Sequence, residues 1–211
     1  MAHVIDWRSL EAASPLVAHM PERLRQAART VQIPGGGSIF RRGDRPSAMY
    51  FVVSGEAHLL RRTPVGHDVI LQRARSGFLA EASLDQSAYH CDALAIVDCT
   101  LMCLPQKRFS EALSVENFRQ SWIAHLSREL RRVRAQAERL SLKTARERVI
   151  HYLETEGERA TIVLAHSKKQ WAAELGLTHE ALYRTLACLT RERLIALEGS
   201  TIRITRRGES V

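Results

Sequence analysis

The 211-residue chain has no apolar run near the roughly 18 residues that a membrane span requires. Its first ten residues carry Asp6 and Arg8 and lack the apolar core of a signal peptide, so the expected compartment is the cytoplasm and no membrane partner is expected. No cysteine precedes Cys91 and no Cys-x-x-Cys occurs, which leaves the four cysteines outside the standard metal spacings and, in a reducing compartment, as thiols. There is no internal repeat and no low-complexity tract. Lysine is absent from residues 1–105, where eleven arginines meet ten acids for a charge of +1. Residues 106–211 hold twenty Lys or Arg against thirteen acids, so +7 of the total +8 lies in the second half. A pI near 9.8 with that asymmetry points to a polyanion that meets the C-terminal part; a solvated basic surface is the plainer alternative.

What is present changes character near residue 106. Up to there, Gly35 to Gly37, Gly43-Asp44, Ser54-Gly55, Val65-Gly66 and Ser76-Gly77 punctuate short apolar runs at Met49 to Val53, Ala57 to Leu60, Val69 to Leu71 and Ala93 to Val97. Short runs with regular turns predict an antiparallel barrel or jelly roll, preceded by a helical stretch from roughly Leu16 to Thr30.

From Val115 to about Leu142 the pattern is helical. Ile123, Leu126, Leu130, Val133, Ala137 and Leu140 are spaced 3, 4, 3, 4 and 3, a heptad seam between charged residues. A narrow apolar stripe on a long charged helix wants a partner helix, and the simplest is its own copy across a two-fold axis. The alternative is packing against the barrel of the same chain.

After Ser141 the chain reads as compact helices closed by a hairpin of Leu194 to Leu197 and Thr201 to Ile204, the layout of a winged helix-turn-helix. Ser167 is placed to cap a helix whose inner face is Trp171, Ala172 and Leu175. Gly176 can take the left-handed turn, Thr178 can cap the next helix, and Leu182, Leu186 and Leu189 face inward. His179, Glu180, Tyr183 and Arg184 are left where a recognition helix meets base edges in the major groove of double-stranded DNA. Arg184 can donate twice to a guanine and Glu180 can accept from a cytosine amino group. Lys168, Lys169, Arg191 and Arg193, with Arg203, Arg206 and Arg207 at the wing, are placed for phosphates.

In the order and spacing of its motifs the sequence resembles the cyclic-AMP receptor protein and FNR superfamily of bacterial transcription regulators over nearly its whole length. The motifs are Gly36 to Phe40, Gly43-Asp44, Met49 to Gly55, Gly66 to Asp68, Gly77 to Leu84, Leu104 to Phe109, the long helix, and Thr144 to Arg148. The resemblance implies an α+β chain: a cyclic-nucleotide-binding-like β-roll sensor at 1–114, a dimerisation helix at 115–142 and a winged helix-turn-helix at 143–211. It also implies a non-enzymatic homodimer that binds palindromic DNA, with Glu180 and Arg184 on the family's half-site readers, and RNA polymerase as a partner if it activates.

Two departures argue against cyclic AMP. Where nucleotide-binding members carry the phosphate-holding Arg with Ser or Thr, this chain has Cys91 and Asp92, and an aspartate repels phosphate at close range. The family's adenine-binding Thr-Ser pair aligns with Val133-Arg134. The N-terminal cysteine cluster of iron–sulfur members is also missing.

In place of the nucleotide, Cys91, Cys99 and Cys103 lie within thirteen residues, with His90 adjacent and His58 and His67 on nearby strands. Thiolates with imidazoles suit zinc or copper, and Cys or His can ligate haem iron, so a metal ion, haem or a redox-active Cys91 stays open. Equally, Cys99 and Cys103 share strand parity and can pack as small hydrophobes, and Cys188 is expected in the core of its helix. The competing functions are a cupin-like metal enzyme and a signalling adaptor whose helices bind protein rather than DNA.

Overall fold

The structure, a computed structural model, describes residues 5–62, 68–164 and 167–205. The chain divides into two compact units, Met1–Ser127 and Arg128–Val211.

In the first unit, helices α1 (Trp7–Ala13), α2 (Pro15–Ala18) and α3 (Glu22–Ala27) precede eight strands among the described residues. The strands are β1 (Arg29–Ile33), β2 (Ser38–Phe40), β3 (Ala48–Ser54), β4 (Ala57–Arg62), β5 (Asp68–Ala74), β6 (Gly77–Leu79), β7 (Asp92–Ala95) and β8 (Cys99–Pro105). They form two antiparallel sheets, β1-β8-β3-β6 and β2-β7-β4-β5. The two faces of the first sheet bury different cores, because alternate side chains point to opposite sides. Met49, Phe51, Met102 and Leu104 pack with Leu16, Val17, Leu24, Phe109, Phe118 and Trp122 from the helices. Val52, Cys99 and Leu101 face the second sheet and pack with Ala57, Leu59, Ala93 and Ala95. This is the roll expected from the turn spacing. The N-terminal helical stretch is shifted: helix begins at Trp7, is broken by Ser14 and Pro21, and ends at Ala27, while Thr30 pairs with Met102 as part of β1. At the end of β3, Gly55 has φ +95° and a Cβ there would lie 2.4 Å from the Asp98 carbonyl oxygen, so no other residue fits that turn.

Helix α4 (Gln106–Ala112) leads to α5 (Glu116–Ser141), which matches the long helix read from the heptads. Phe118 and Trp122 bury its inner face. The seam points elsewhere: Ile123, Leu130, Val133 and Leu140 are 49–59 % exposed, Leu126 is 39 % exposed, and Ala137 is exposed too.

In the second unit, α6 (Ala145–Glu156), β9 (Thr161–Val163), α7 (Lys168–Glu174), α8 (His179–Arg191), β10 (Ile195–Glu198) and β11 (Thr201–Ile204) enclose a third core of Val149, Leu153, Trp171, Leu175, Leu182, Leu186, Leu189, Ile195 and Ile202. The strands form an antiparallel sheet in the order β10-β11-β9, so the predicted hairpin gains a third strand. A Thr144–Glu147 capping box starts α6. No helix among the described residues is long and apolar enough to cross a membrane.

Candidate DNA-reading face and sensor segment

The helix-turn-helix is assembled by local hydrogen bonds. The Ser167 hydroxyl accepts from the Gln170 N–H at 3.3 Å while the Gln170 amide oxygen accepts from the Ser167 N–H at 3.1 Å, a complete capping box at the start of α7. Leu175 ends that helix, and Gly176 takes φ +64°. A Cβ there would come within 3.1 Å of Arg148 and Leu140, so both conformation and space favour glycine. The Thr178 hydroxyl accepts from the Ala181 N–H at 3.2 Å and starts α8. Arg148 braces the turn from α6, donating to the carbonyls of Leu175 at 3.2 Å and Gly176 at 3.1 Å and, through Nε, to Leu142. Sequence reading placed Arg148 in a motif but missed this role, because its partners are 27 and 28 residues away.

Leu182, Leu186 and Leu189 anchor α8 inward, which turns His179, Glu180, Tyr183, Arg184, Ala187 and Arg191 outward. All four predicted base-facing residues are therefore exposed on one helix. Lys169, Arg193 and Arg203 are exposed and Lys168 is partly buried, its ammonium 5.4 Å from the centre of the Tyr183 ring. Arg206, Arg207 and His67 lie outside the described residues. The Glu180 carboxyl is held below the usual carboxylate range by its own backbone N–H and the Thr178 hydroxyl, so it is anionic at neutral pH. An exposed anion beside Arg184 is unsuited to phosphate but suited to the amino group of a base. Cys188 departs from expectation: it is half-buried on the flank of α8 and its thiol donates to Glu192 at 3.1 Å, since positions 182, 186 and 189 already fill the inner face.

The candidate sensor segment lies between β6 and β7. Ala80 takes φ +66°, a left-handed conformation that costs a non-glycine residue about 1 kcal/mol or more. A 3-10 turn, Glu81–Ser83, follows. The Glu81 carboxylate accepts from His125 on α5, and Ser83 hydrogen-bonds His90 Nδ1 at 3.3 Å. Arg61 donates to the His90 carbonyl at 3.2 Å, and Asp92 accepts from the Arg42 N–H at 2.9 Å. Tyr89 stacks on Phe40 with ring centres 3.7 Å apart, inside the core that holds Cys91.

These residues do not fit a cyclic phosphate: the two positions in question hold a thiol 1 % exposed and a carboxylate already engaged with the backbone. Burial pushes the Cys91, Cys99 and Cys103 thiols up, Cys103 to about 11, which favours the neutral form over the thiolate that binds metals. The Cys99 thiol donates to the Glu56 and Val97 carbonyls. Among the described residues no three His, Cys, Asp or Glu side chains are grouped to hold a metal ion. His58 is instead buried with Glu56 at 2.7 Å, and Arg75 completes the group at 3.0 Å.

Known proteins carry the same two parts in the same order. Residues 30–116 match the cyclic nucleotide-binding domain family, and residues 147–209 match the Crp-like helix-turn-helix domain family. The transcriptional activatory protein AadR of Rhodopseudomonas palustris is 26% identical over 193 residues, 87% of this chain and 80% of that protein. Among solved structures, DNR from Pseudomonas aeruginosa is 27% identical with a TM-score of 0.54, covering 98% of this chain and 97% of that one. The Thermus thermophilus catabolite activator protein is 27% identical with a TM-score of 0.51, over 91% and 94% of the two chains. With a β-rich cyclic nucleotide-binding-like domain, a long helix and a DNA-binding helix-turn-helix, this chain belongs to the Crp/Fnr family of transcription regulators.

Proposed function

We propose that the chain acts in the cytoplasm as a homodimer that binds palindromic DNA under the control of a signal received by the β-roll, and that this signal is not cyclic AMP. The domains assigned are the roll at 1–114, the dimerisation helix at 115–142 and the winged helix-turn-helix at 143–211. The observation that carries the reading is the outward stripe of α8, where Glu180 and Arg184 stand exposed one turn apart while Leu182, Leu186 and Leu189 on the opposite face are buried. Two copies joined along Ile123, Leu126, Leu130, Val133, Ala137 and Leu140 would present two such helices to successive half-sites.

Arg184 and Glu180 read bases, His179 and Tyr183 flank them, and Lys168, Lys169 and Arg203 meet phosphates. The signal acts by shifting the dimer between arrangements that fit or miss the operator. His90 with Cys91, and Cys99 with Cys103, are the residues assigned to a copper, zinc, haem or redox signal; the raised thiols favour a route through His90 and its Ser83 contact over a free thiolate. Where the chain activates, RNA polymerase is the further partner.

Electrophoretic retardation of a pool of palindromic duplexes tests the DNA reading. The full chain retards a subset of the pool, and Arg184→Ala loses that preference; no retardation of any duplex overturns the proposal. For the signal, metal analysis and DNA binding under oxidising and reducing conditions are compared between the wild-type chain and Cys91→Ser. Absence of metal from both, with identical binding in both conditions, removes the cysteine signal.

A further inference from the structure

Most large apolar side chains of α7 and α8 are buried, but Tyr183 is 46 % exposed on the outward stripe of α8. A tyrosine there offers an apolar ring and a polar hydroxyl together, the combination enriched at contact surfaces. Tyr183 is also held in place. The His179 ring lies 4.5 Å away at 57°, and the Lys168 ammonium, from α7, sits 5.4 Å from its ring centre. With a cation near the ring and an imidazole beside it, the ring has little freedom to sweep the surface and presents its remaining apolar edge in a fixed direction.

At 1.5 Å of rise per residue, Glu180 and Arg184 are about 6 Å apart along α8. That distance spans about two base steps of 3.4 Å. Tyr183 lies between them along the axis and about 100° round the helix from Arg184, on the flank that Lys168 approaches. On a helix laid in the major groove it would face a base next to the one assigned to Arg184. The major-groove edges of guanine, cytosine and adenine offer polar groups, whereas thymine alone adds a methyl group, the apolar surface that an aromatic ring edge can cover.

We infer that Tyr183 is a specificity-determining residue that reads the C5-methyl group of a thymine adjacent to the Arg184-contacted base in each half-site. The inference rests on α8 being the DNA-reading helix. Lys168 and His179 act as positioning residues for the ring rather than as base readers.

The test begins with selection of bound duplexes from a random pool by the full-length chain and by its Tyr183→Ala and Tyr183→Phe variants. In the selected duplex each thymine is then replaced by deoxyuracil, which removes only the methyl group. With one thymine replaced at a time, wild-type affinity falls about fourfold at either member of one symmetric pair of positions, as expected for one methyl group removed from contact. Tyr183→Phe keeps this sensitivity, and Tyr183→Ala loses it while still preferring guanine at the Arg184 position. Because Tyr183 lies outside the core, its truncation leaves thermal unfolding of the chain unchanged, so a loss of methyl sensitivity is not a loss of fold. Wild-type binding that ignores every deoxyuracil, sensitivity that persists in Tyr183→Ala, or sensitivity lost in Tyr183→Phe overturns the inference while the DNA reading stands. Failure to enrich any duplex overturns both.

Discussion

The Nε2–H of His125 donates to the Glu81 carboxylate at 3.0 Å, with both side chains largely buried at 14 % and 11 % exposure. The contact joins the 3-10 turn of the sensor segment to the long helix, and the imidazole is seated against Trp122 at 5.3 Å and Phe78 at 5.6 Å. Replacing His125 by Phe keeps the ring packing but leaves Glu81 without this donor. A buried acceptor stripped of its partner costs about 1–3 kcal/mol. Urea unfolding of His125→Phe is expected to show a loss in that range, and Glu81→Gln, which still accepts through its amide oxygen, a smaller one. Equal stability of His125→Phe and the wild type would mean that solvent replaces the imidazole.

That pair also marks the limit of what the sequence discloses. The helix-turn-helix is legible because its determinants are local: Ser167, Gly176 and Thr178 each act within three residues of where they stand, and Leu182, Leu186 and Leu189 repeat at helical spacing. Glu81 and His125 are 44 residues apart and follow no period, so nothing in the pattern pairs them. Arg148 is likewise an unremarkable helix arginine until α7 brings the carbonyls of Leu175 and Gly176 to it. In the roll, the runs at β3, β4 and β7 are apolar enough to read directly, whereas β6 has only three residues and is defined by pairing with Tyr50, Phe51 and Val52. The cysteines are less legible: their closeness in sequence suggests a shared site, whereas the Cys99 thiol is turned onto backbone carbonyls and Cys91 is in the roll core.

The exposed seam of α5 predicts assembly. Leu130 is 50 % and Val133 59 % exposed, so substituting them should not disturb the core of either unit. A charge at a central heptad position opposes its own copy across a two-fold axis. Sedimentation velocity is expected to show a dimer for the wild-type chain and a monomer for Leu130→Glu/Val133→Glu, with circular dichroism unchanged. A double variant that remains dimeric would place the interface elsewhere.

The buried thiols predict slow chemistry. Burial raises the Cys91, Cys99 and Cys103 thiols, the last to about 11, so at pH 8 few are thiolates. Timed alkylation of the native chain at pH 8 should modify Cys188 first, the half-buried Cys103 more slowly because its thiol is raised, and Cys91 and Cys99, which lie in a core cluster, at the rate of unfolding. Cys103 also affects stability: its neutral form is favoured by the fold, so its contribution is complete below the ordinary thiol value of 9.0 and is lost as pH rises towards about 11. Cys103→Ala should flatten the decline in unfolding free energy over that interval. Rapid labelling of Cys91 in native protein would restore the reactive-thiol reading.

Acid should act through Glu56. Burial alone would raise its carboxyl, but hydrogen bonds from His58 at 2.7 Å and Arg75 at 3.0 Å outweigh it and hold the group below its ordinary 4.5. A carboxyl depressed by folding stabilises the native state fully above 4.5, and that stabilisation is lost as pH falls through the lower native value. The unfolded chain then binds the proton first. Below pH 4.5 the wild-type chain should lose stability more steeply than Glu56→Gln, which has no charge to titrate there. At neutral pH the wild-type chain is the more stable of the two, because Glu56→Gln leaves Arg75 and His58 facing a neutral amide in a buried site. A stability gap between the two chains at pH 7 that narrows towards pH 3.5 locates the acid sensitivity of the roll at Glu56; a gap that stays constant would move it to another carboxylate.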